Sequence, residues 1–451
     1  MKTYSNLYET CLDRDFIKKM ILEAAKGKKD RVDVRRVLEK VDHYVEVFYS
    51  ILLYMTYRAH IPRATIINEG TRPKKREIRK IRFFDQVIHH IVVKACYEVF
   101  TRSMYEFCCG SVPDRGIHYG KRYIERWIRD DNKNTKYCCQ MDIRHYFDSV
   151  DHEVLKRLLR HKITDRRMLW LLDEIIDSCE TGIPLGYYTS QWFANFFLEG
   201  LDHYIKEQLH VKYYVRYLDD MVIFGRNKKE LHKARTAIAA YLENNLRLQM
   251  KGNYQVFRLD YITKAGEHKG RALDFMGFRF WRDRTTLRKS LMLRICRKAK
   301  RIGRKPRPTY YDAAAMLSYM GWIKNSDTYR MYEERIKPQV SVKQMKQIVS
   351  KNTKNQEKEK PVQCGQGFYP NVAFGHCWGG FWQPADWYKE QAVENCRKQC
   401  SNCKFYKEHI KEGAAANVKN RLEGSSRKPG KEAHFNGHDK QPDNGIHSQE
   451  C

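Results

Sequence analysis

The sequence contains no run of 18 or more apolar residues, so no membrane-spanning helix is expected. Its opening residues, MKTYSNLYETCLDRDF, hold no apolar core of the kind a secretory signal needs. The expectation is therefore a cytoplasmic protein that makes no use of a membrane. In that compartment the 14 cysteines read as free thiols or metal ligands rather than disulfides. No internal repeat is present. One long stretch lacks acids entirely: residues 288–307 contain ten Lys or Arg and no Asp or Glu.

Positive charge is abundant. Against 54 Asp and Glu stand 85 Lys and Arg, a formal net charge of +31. An excess of that size implies a polyanionic partner, and with no membrane signal the partner is nucleic acid. Hydrophobic residues make up 42% and aromatics 13%, enough for a sizeable core. Residues 1–60 read as amphipathic helices, with Phe16, Met20, Ile21 and Ala24 at helical spacing. Residues 72–94 switch from a basic, strand-like run into an apolar helix. Residues 137–150 carry an apolar strand, YCCQMDI, that ends in a turn. Residues 211–224, VKYYVRYLDDMVIF, are two β-rich runs broken by a short acidic turn, the pattern of a hairpin. A helix over 228–246 follows, then a basic helix in 288–307 and a helical segment near 311–336. Residues 343–361 read as a charged linker, 362–411 as a Cys- and Trp-rich island, and 412–451 as a disordered tail.

The acidic turn carries the chemistry. Tyr217-Leu218-Asp219-Asp220 places two adjacent carboxylates at a hairpin tip, where Asn or Gly is usual. A solvated surface turn accounts for the tetrapeptide equally well. Asp142 tips the balance, because it closes an apolar strand where an unpaired acid is costly. If that strand lies beside the hairpin, three carboxylates converge at one sheet edge. Oxygen-only ligation suits Mg²⁺, and two such ions serve an in-line phosphoryl displacement. Asp148 and Asp151 read as helix-cap or turn residues.

These segments resemble the reverse transcriptase family. QMDIRHYFDSVDHEVL is similar to its motif A, GIPLGYYTSQWFANFFLEGLD to motif B, VRYLDDMVIF to motif C, LRLQMKGNYQVF to motif D, and LDFMGFRFW to the motif near the primer grip. Together they span roughly residues 70–340. The resemblance implies an α+β right-hand polymerase of fingers, palm and thumb. Residues 1–136 would be N-terminal helices and fingers, 137–285 palm, and 286–342 thumb. It implies Asp142, Asp219 and Asp220 as ligands of two Mg²⁺ ions, for which Mn²⁺ can substitute. Phe147 would be the aromatic gate that excludes a 2′-hydroxyl. Lys251, at the motif D lysine position, is either the group that protonates pyrophosphate or a plain surface lysine. Arg79 and Arg82, on the basic strand-like run, would clamp the triphosphate, and spacing alone does not choose them over Lys74, Lys75, Arg76 and Lys80. Leu185, Gly186 and Gln191 would line the nucleotide site.

Motif B narrows the resemblance. Pro184-Leu185-Gly186 followed by Ser190-Gln191 is similar to the reverse transcriptases of diversity-generating retroelements, error-prone enzymes that copy a template RNA. Leu185 cannot hydrogen-bond to the nascent pair as a Gln would. The implied partners are template RNA, a cDNA/primer duplex, deoxynucleoside triphosphates and a small basic accessory protein. Reverse transcriptases of antiphage defence or of group II introns are the alternative within the family, and an inactive polymerase-like RNA-binding protein is the alternative outside it. Arg294, Arg297, Lys298 and Arg301 share one face of the basic helix and would grip the duplex backbone. In the Cys-rich island, Cys377, Cys396, Cys400 and Cys403 are a candidate zinc set. An aromatic mini-core around Trp378, Trp382 and Trp387 is the other reading.

Overall fold

The computed structural model describes residues 3–69, 74–358, 362–364 and 367–369. The candidate zinc residues Cys377, Cys396, Cys400 and Cys403 and the expected tail lie outside the described residues. The chain divides into two units, Met1–Met345 and Lys346–Cys451.

A four-stranded antiparallel sheet anchors the first unit. Its order is Tyr213–Tyr217, Asp220–Gly225, Tyr137–Asp142 and Gln255–Arg258. The two central strands are apolar on both faces because both faces are covered. Cys139, Met141, Tyr214, Met221 and Ile223 join one large core with helices Tyr188–Phe197 and Lys228–Leu246. On the opposite side, Trp127 of helix Ile117–Asp130 stacks on Tyr213 at 5.1 Å and meets the Phe224 ring edge-on at 6.4 Å.

The N-terminal helices form as their apolar spacing predicts. Ile17, Met20, Ile21 and Ala24 of helix Arg14–Ala24 are buried, and Asp13 caps its N-terminus. The basic run is the second strand of a hairpin, Arg63–Glu69 with Lys74–Lys80, and it feeds helix Phe83–Ala95. Downstream, strands Leu273–Phe275, Phe278–Phe280 and Thr285–Leu287 make a small sheet. Its first hairpin turns through Met276 (φ 50°) and Gly277 (φ 85°), the paired left-handed residues that a tight two-residue turn requires.

The basic helix is Lys289–Gly303. It buries Ile295, Ala299 and Ile302 against helix Tyr310–Lys324. The helical expectation for 311–336 breaks at residues 325–328 and resumes in short turns, Tyr329–Met331 and Tyr332–Ile336. Most of the stretch expected as a charged linker is helical. Val342–Lys358 is a helix, since it lacks Pro and Gly and repeats Val342, Met345 and Val349 on one side. In the second unit, Val362–Cys364 pairs with Gly367–Tyr369. Among the described residues eight cysteines are free thiols, and no helix is long and apolar enough to cross a membrane.

Lys298, expected among the bases that grip a duplex, pairs here with Asp312 at 2.7 Å. Asp312 also takes Lys305 at 2.5 Å and completes a capping box with Thr309. These lysines, Lys298 first, hold the Asp312 carboxyl well below its usual range. A depressed folded-state pKa gives stability that is fully present above the unfolded value of about 4 and is lost as pH falls through the folded one. Asp312→Ala should therefore cost about 1–2 kcal/mol at pH 7. Urea unfolding should show that loss shrinking at pH 3. An equal loss at both pH values would mean that packing, not charge, is what Asp312 supplies.

Candidate active site

The register of the central strands builds the site. Asp142 is the cross-strand partner of Asp220, and Tyr217 pairs with Asp220 from the other side. Leu218 and Asp219 form the two-residue turn between them, with Leu218 in the left-handed region at φ 54°. Two strands and one turn thus bring Asp142, Asp219 and Asp220 to one sheet edge, as their sequence pattern predicts. A third segment closes that edge. The Lys251 N–H donates to the Asp142 carbonyl at 2.8 Å, and the Arg144 N–H donates to the Gln249 carbonyl at 2.8 Å.

The carboxylates are poorly satisfied as they stand. Asp142 Oδ1 is buried without a hydrogen-bond partner, while Oδ2 is contacted by the Lys251 ammonium. Burial and then the Asp142 charge push the Asp219 carboxyl up to about 6. Burial followed by Asp142 and Asp219 pushes Asp220 up to about 7, against the pull of Lys251 and Arg288. A crowded all-oxygen donor set with an orphaned oxygen suits a hard divalent cation. Among the described residues the carboxylates do not close into a ready three-ligand cluster, and the Lys251 ammonium is the cation now at Asp142.

Beside the carboxylates lies a cavity of about 410 Å³ lined by Asp142, Asp220, Gln140, Tyr254, Arg271 and Arg288 among others. Arg271, Asp274 and Arg288 also line a neighbouring cavity of about 720 Å³, together with Arg279, Lys289 and Arg297. A basic channel therefore leads from the carboxylates to the basic helix. Arg294, Arg297 and Arg301 are exposed on that helix.

The motif B loop is held by backbone contacts. The Arg79 N–H donates to the Leu185 carbonyl at 2.9 Å. Gly186 (φ 111°) lies so close to this strand that a Cβ would sit 2.6 Å from the Arg79 carbonyl. The Ile183 N–H donates to the Phe147 carbonyl at 2.7 Å, tying the same loop to the turn after Asp142. Phe147 is half-buried, Leu185 half-buried, and Gln191 and Arg82 exposed. The Arg79 guanidinium faces Glu77 at 3.4 Å. Asp151 caps helix His152–Lys162 by accepting from the Val154 N–H, as its sequence position suggests.

Sequence reasoning missed the support beneath the acidic turn. Arg216 is wholly buried and forks onto Asp202, itself wholly buried, at 2.6 and 2.8 Å. Asn195, Tyr214 and Gly110 complete the network. The signal was available, because an arginine inside the apolar strand YYVRY has to be paired.

Residues 71–278 match the family model for reverse transcriptase (RNA-dependent DNA polymerase). That match covers the carboxylates, the motif B loop and Lys251. Over this span the chain is similar to reverse transcriptases. Members of that family are RNA-directed DNA polymerases, nucleotidyltransferases that work with divalent metal ions. Protein YkfC of Escherichia coli (strain K12) is 23% identical over 135 residues, 28% of this chain and 35% of that protein. The chain thus spans about a third of the length of this curated relative. Apo telomerase from Candida Tropicalis is similar at 10% identity with a TM-score of 0.39, covering 66% of this chain and 59% of that one. A form truncated from its C-terminal domain gives 12% and 0.36, covering 53% and 58%. Likeness at this level carries no argument.

Because the ionised carboxylates repel, the metal-free fold is destabilised above the raised pKa values and relieved as pH falls through them. Asp219→Asn should therefore raise the Tm of the metal-free protein at pH 8, by about 2–4 °C. The gain should vanish toward pH 4, where the native acids are protonated. Calorimetry in EDTA checks both, and an unchanged or lower Tm at pH 8 would show that the carboxylates do not strain the fold.

Proposed function

We propose that the chain copies a template RNA into cDNA from a primer 3′-end, using deoxynucleoside triphosphates and two divalent ions held by Asp142, Asp219 and Asp220. The observation that carries this reading is the strand register that sets Asp142 opposite Asp220, with Asp219 in the adjoining turn. Bound there, Mg²⁺ would lower the pKa of the primer hydroxyl and stabilise charge on the leaving pyrophosphate.

The chain's own residues supply the rest. In this reading the hairpin and N-terminal helices are fingers, the four-stranded sheet is palm, and the basic helix pair is thumb. In this reading the Lys251 ammonium, which contacts Asp142, gives a proton to pyrophosphate. Arg79, whose N–H meets the motif B loop, and Arg82 clamp the triphosphate. The Phe147 ring, on a backbone tied to the motif B loop through its carbonyl, excludes a 2′-hydroxyl by contact. Arg294, Arg297 and Arg301 hold duplex phosphates without reading sequence.

The finer reading is a mutagenic enzyme of a diversity-generating retroelement, assisted by a small basic accessory protein. Its support is the Gly186-x-x-x-Ser190-Gln191 pattern and the apolar Leu185. The Leu185 carbonyl is already occupied by the Arg79 N–H, so this residue offers the nascent pair neither a free backbone acceptor nor a polar side chain.

Primer extension on RNA with Mg²⁺, followed by product sequencing, tests the reading. Asp219→Asn should lower extension at least about 100-fold. Errors should concentrate opposite template adenines. Phe147→Ala should raise ribonucleotide incorporation by about tenfold or more. Extension that survives Asp219→Asn would remove the metal assignment. Faithful products would remove the retroelement reading and leave a defence or intron-type enzyme. No extension with native flanking RNA and accessory protein would leave an RNA-binding scaffold.

A further inference from the structure

Arg216 occupies an expensive position. Its side chain is wholly buried in the strand that leads into the acidic turn, and Asp202 opposite it is wholly buried too. A buried ion pair is often no more stabilising than well-packed apolar residues of the same volume. Stability alone is therefore a weak reason for this pair, and its hydrogen-bond directions suggest another.

The guanidinium divides its donors between two tasks. Nε and Nη2 fork onto the two Asp202 oxygens at 2.8 and 2.6 Å. This leaves Nη1 for the Leu218 carbonyl at 3.1 Å and Asn195 Oδ1 at 3.2 Å. Tyr214 donates its hydroxyl to Asp202 Oδ1 at 2.7 Å, which fixes the carboxylate that fixes the arginine. Asn195 in turn donates to the Gly110 carbonyl at 2.7 Å. Gly110 lies against the turn itself: a Cβ there would sit 2.7 Å from the Leu218 nitrogen. The backbone of Arg216 is also clamped, its N–H on Phe107 and its carbonyl under the Cys109 N–H. Leu218 is thus held from below by Arg216 and from the side by Gly110, in a left-handed conformation that a leucine does not choose.

We propose that Arg216 is a positioning residue: through Asp202 and the Leu218 carbonyl it fixes the turn so that Asp219 and Asp220 meet the metal ions in one arrangement. The inference rests on the reading of those aspartates as metal ligands. Lysine cannot replace arginine in this role. Its single ammonium pairs with Asp202 but does not present a planar fork and a third, separately directed donor.

Two variants of the full chain test this. Arg216→Lys keeps the charge on Asp202 and gives up the contact to the turn. Arg216→Met with Asp202→Leu replaces the pair by apolar volume and leaves no buried charge unpaired. Mn²⁺ binding, read from the free-ion EPR signal, should weaken at least fivefold in both. In primer extension, kcat should fall at least tenfold and the Mg²⁺ concentration for half-activation should rise, with KM for deoxynucleotide within twofold of wild type. The Tm of the double variant should stay within a few degrees of wild type. Folded variants with wild-type Mn²⁺ affinity and kcat overturn the proposal and leave the pair a packing device. If neither folds, Gly110→Ala decides. It presses on Leu218 with the ion pair intact and should weaken Mn²⁺ binding likewise, and unchanged affinity there overturns the proposal. Wild-type protein that binds Mn²⁺ but extends no primer would sink the polymerase reading, and the Mn²⁺ comparison would still decide the role of Arg216. Wild-type protein that binds no Mn²⁺ overturns the proposal.

Discussion

Asp142 faces Asp220 directly across two antiparallel strands, and everything else about the site follows from that pairing. Like charges opposite one another destabilise a sheet. Here the repulsion is imposed by register, and register is imposed by packing. Cys139, Met141, Met221 and Ile223 must face the helical core, and a slip of one residue would turn them all away from it. The core thus forces the two acids together, and the two-residue turn adds Asp219. Burial then sharpens the conflict, because desolvation leads the causes that push Asp219 and Asp220 upward. A cation is the one ligand class that relieves all three at once.

Much of this was legible in the sequence, for a physical reason. The hairpin, the strand before Asp142 and the helix over 228–246 are local features whose apolar patterns have one natural partner, the common core. What was not legible depends on pairings between distant residues. Lys298 looks like one of four bases on a helix face. Asp312, fourteen positions on, claims it because the following helix folds back at that height. Arg216 looks like a stray charge in a strand until Asp202 is brought beneath it by the bend after helix Tyr188–Phe197. The stretch expected as a linker holds a helix that its charge does not advertise, because its few apolar residues keep helical spacing.

Two glycines show how the proposed nucleotide site keeps its shape. Gly182 sits at φ 67°, where a Cβ would come within 2.5 Å of the Phe147 carbonyl, and Gly186 presses the Arg79 carbonyl in the same way. Between them, Ile183 and Leu185 make backbone hydrogen bonds outward, one to each neighbour. Three segments far apart in sequence are therefore joined through main chain alone: the hairpin strand, the motif B loop and the turn after Asp142. Side chains hung on that frame can change without moving it. In the proposed function a leucine at position 185 would alter what the nascent base pair touches, yet leave the distance between Phe147 and the hairpin strand to the backbone. Under the proposed function, selection of the sugar and tolerance toward the base would thus be separable properties, one resting on where the Phe147 backbone is anchored and the other on the Leu185 side chain.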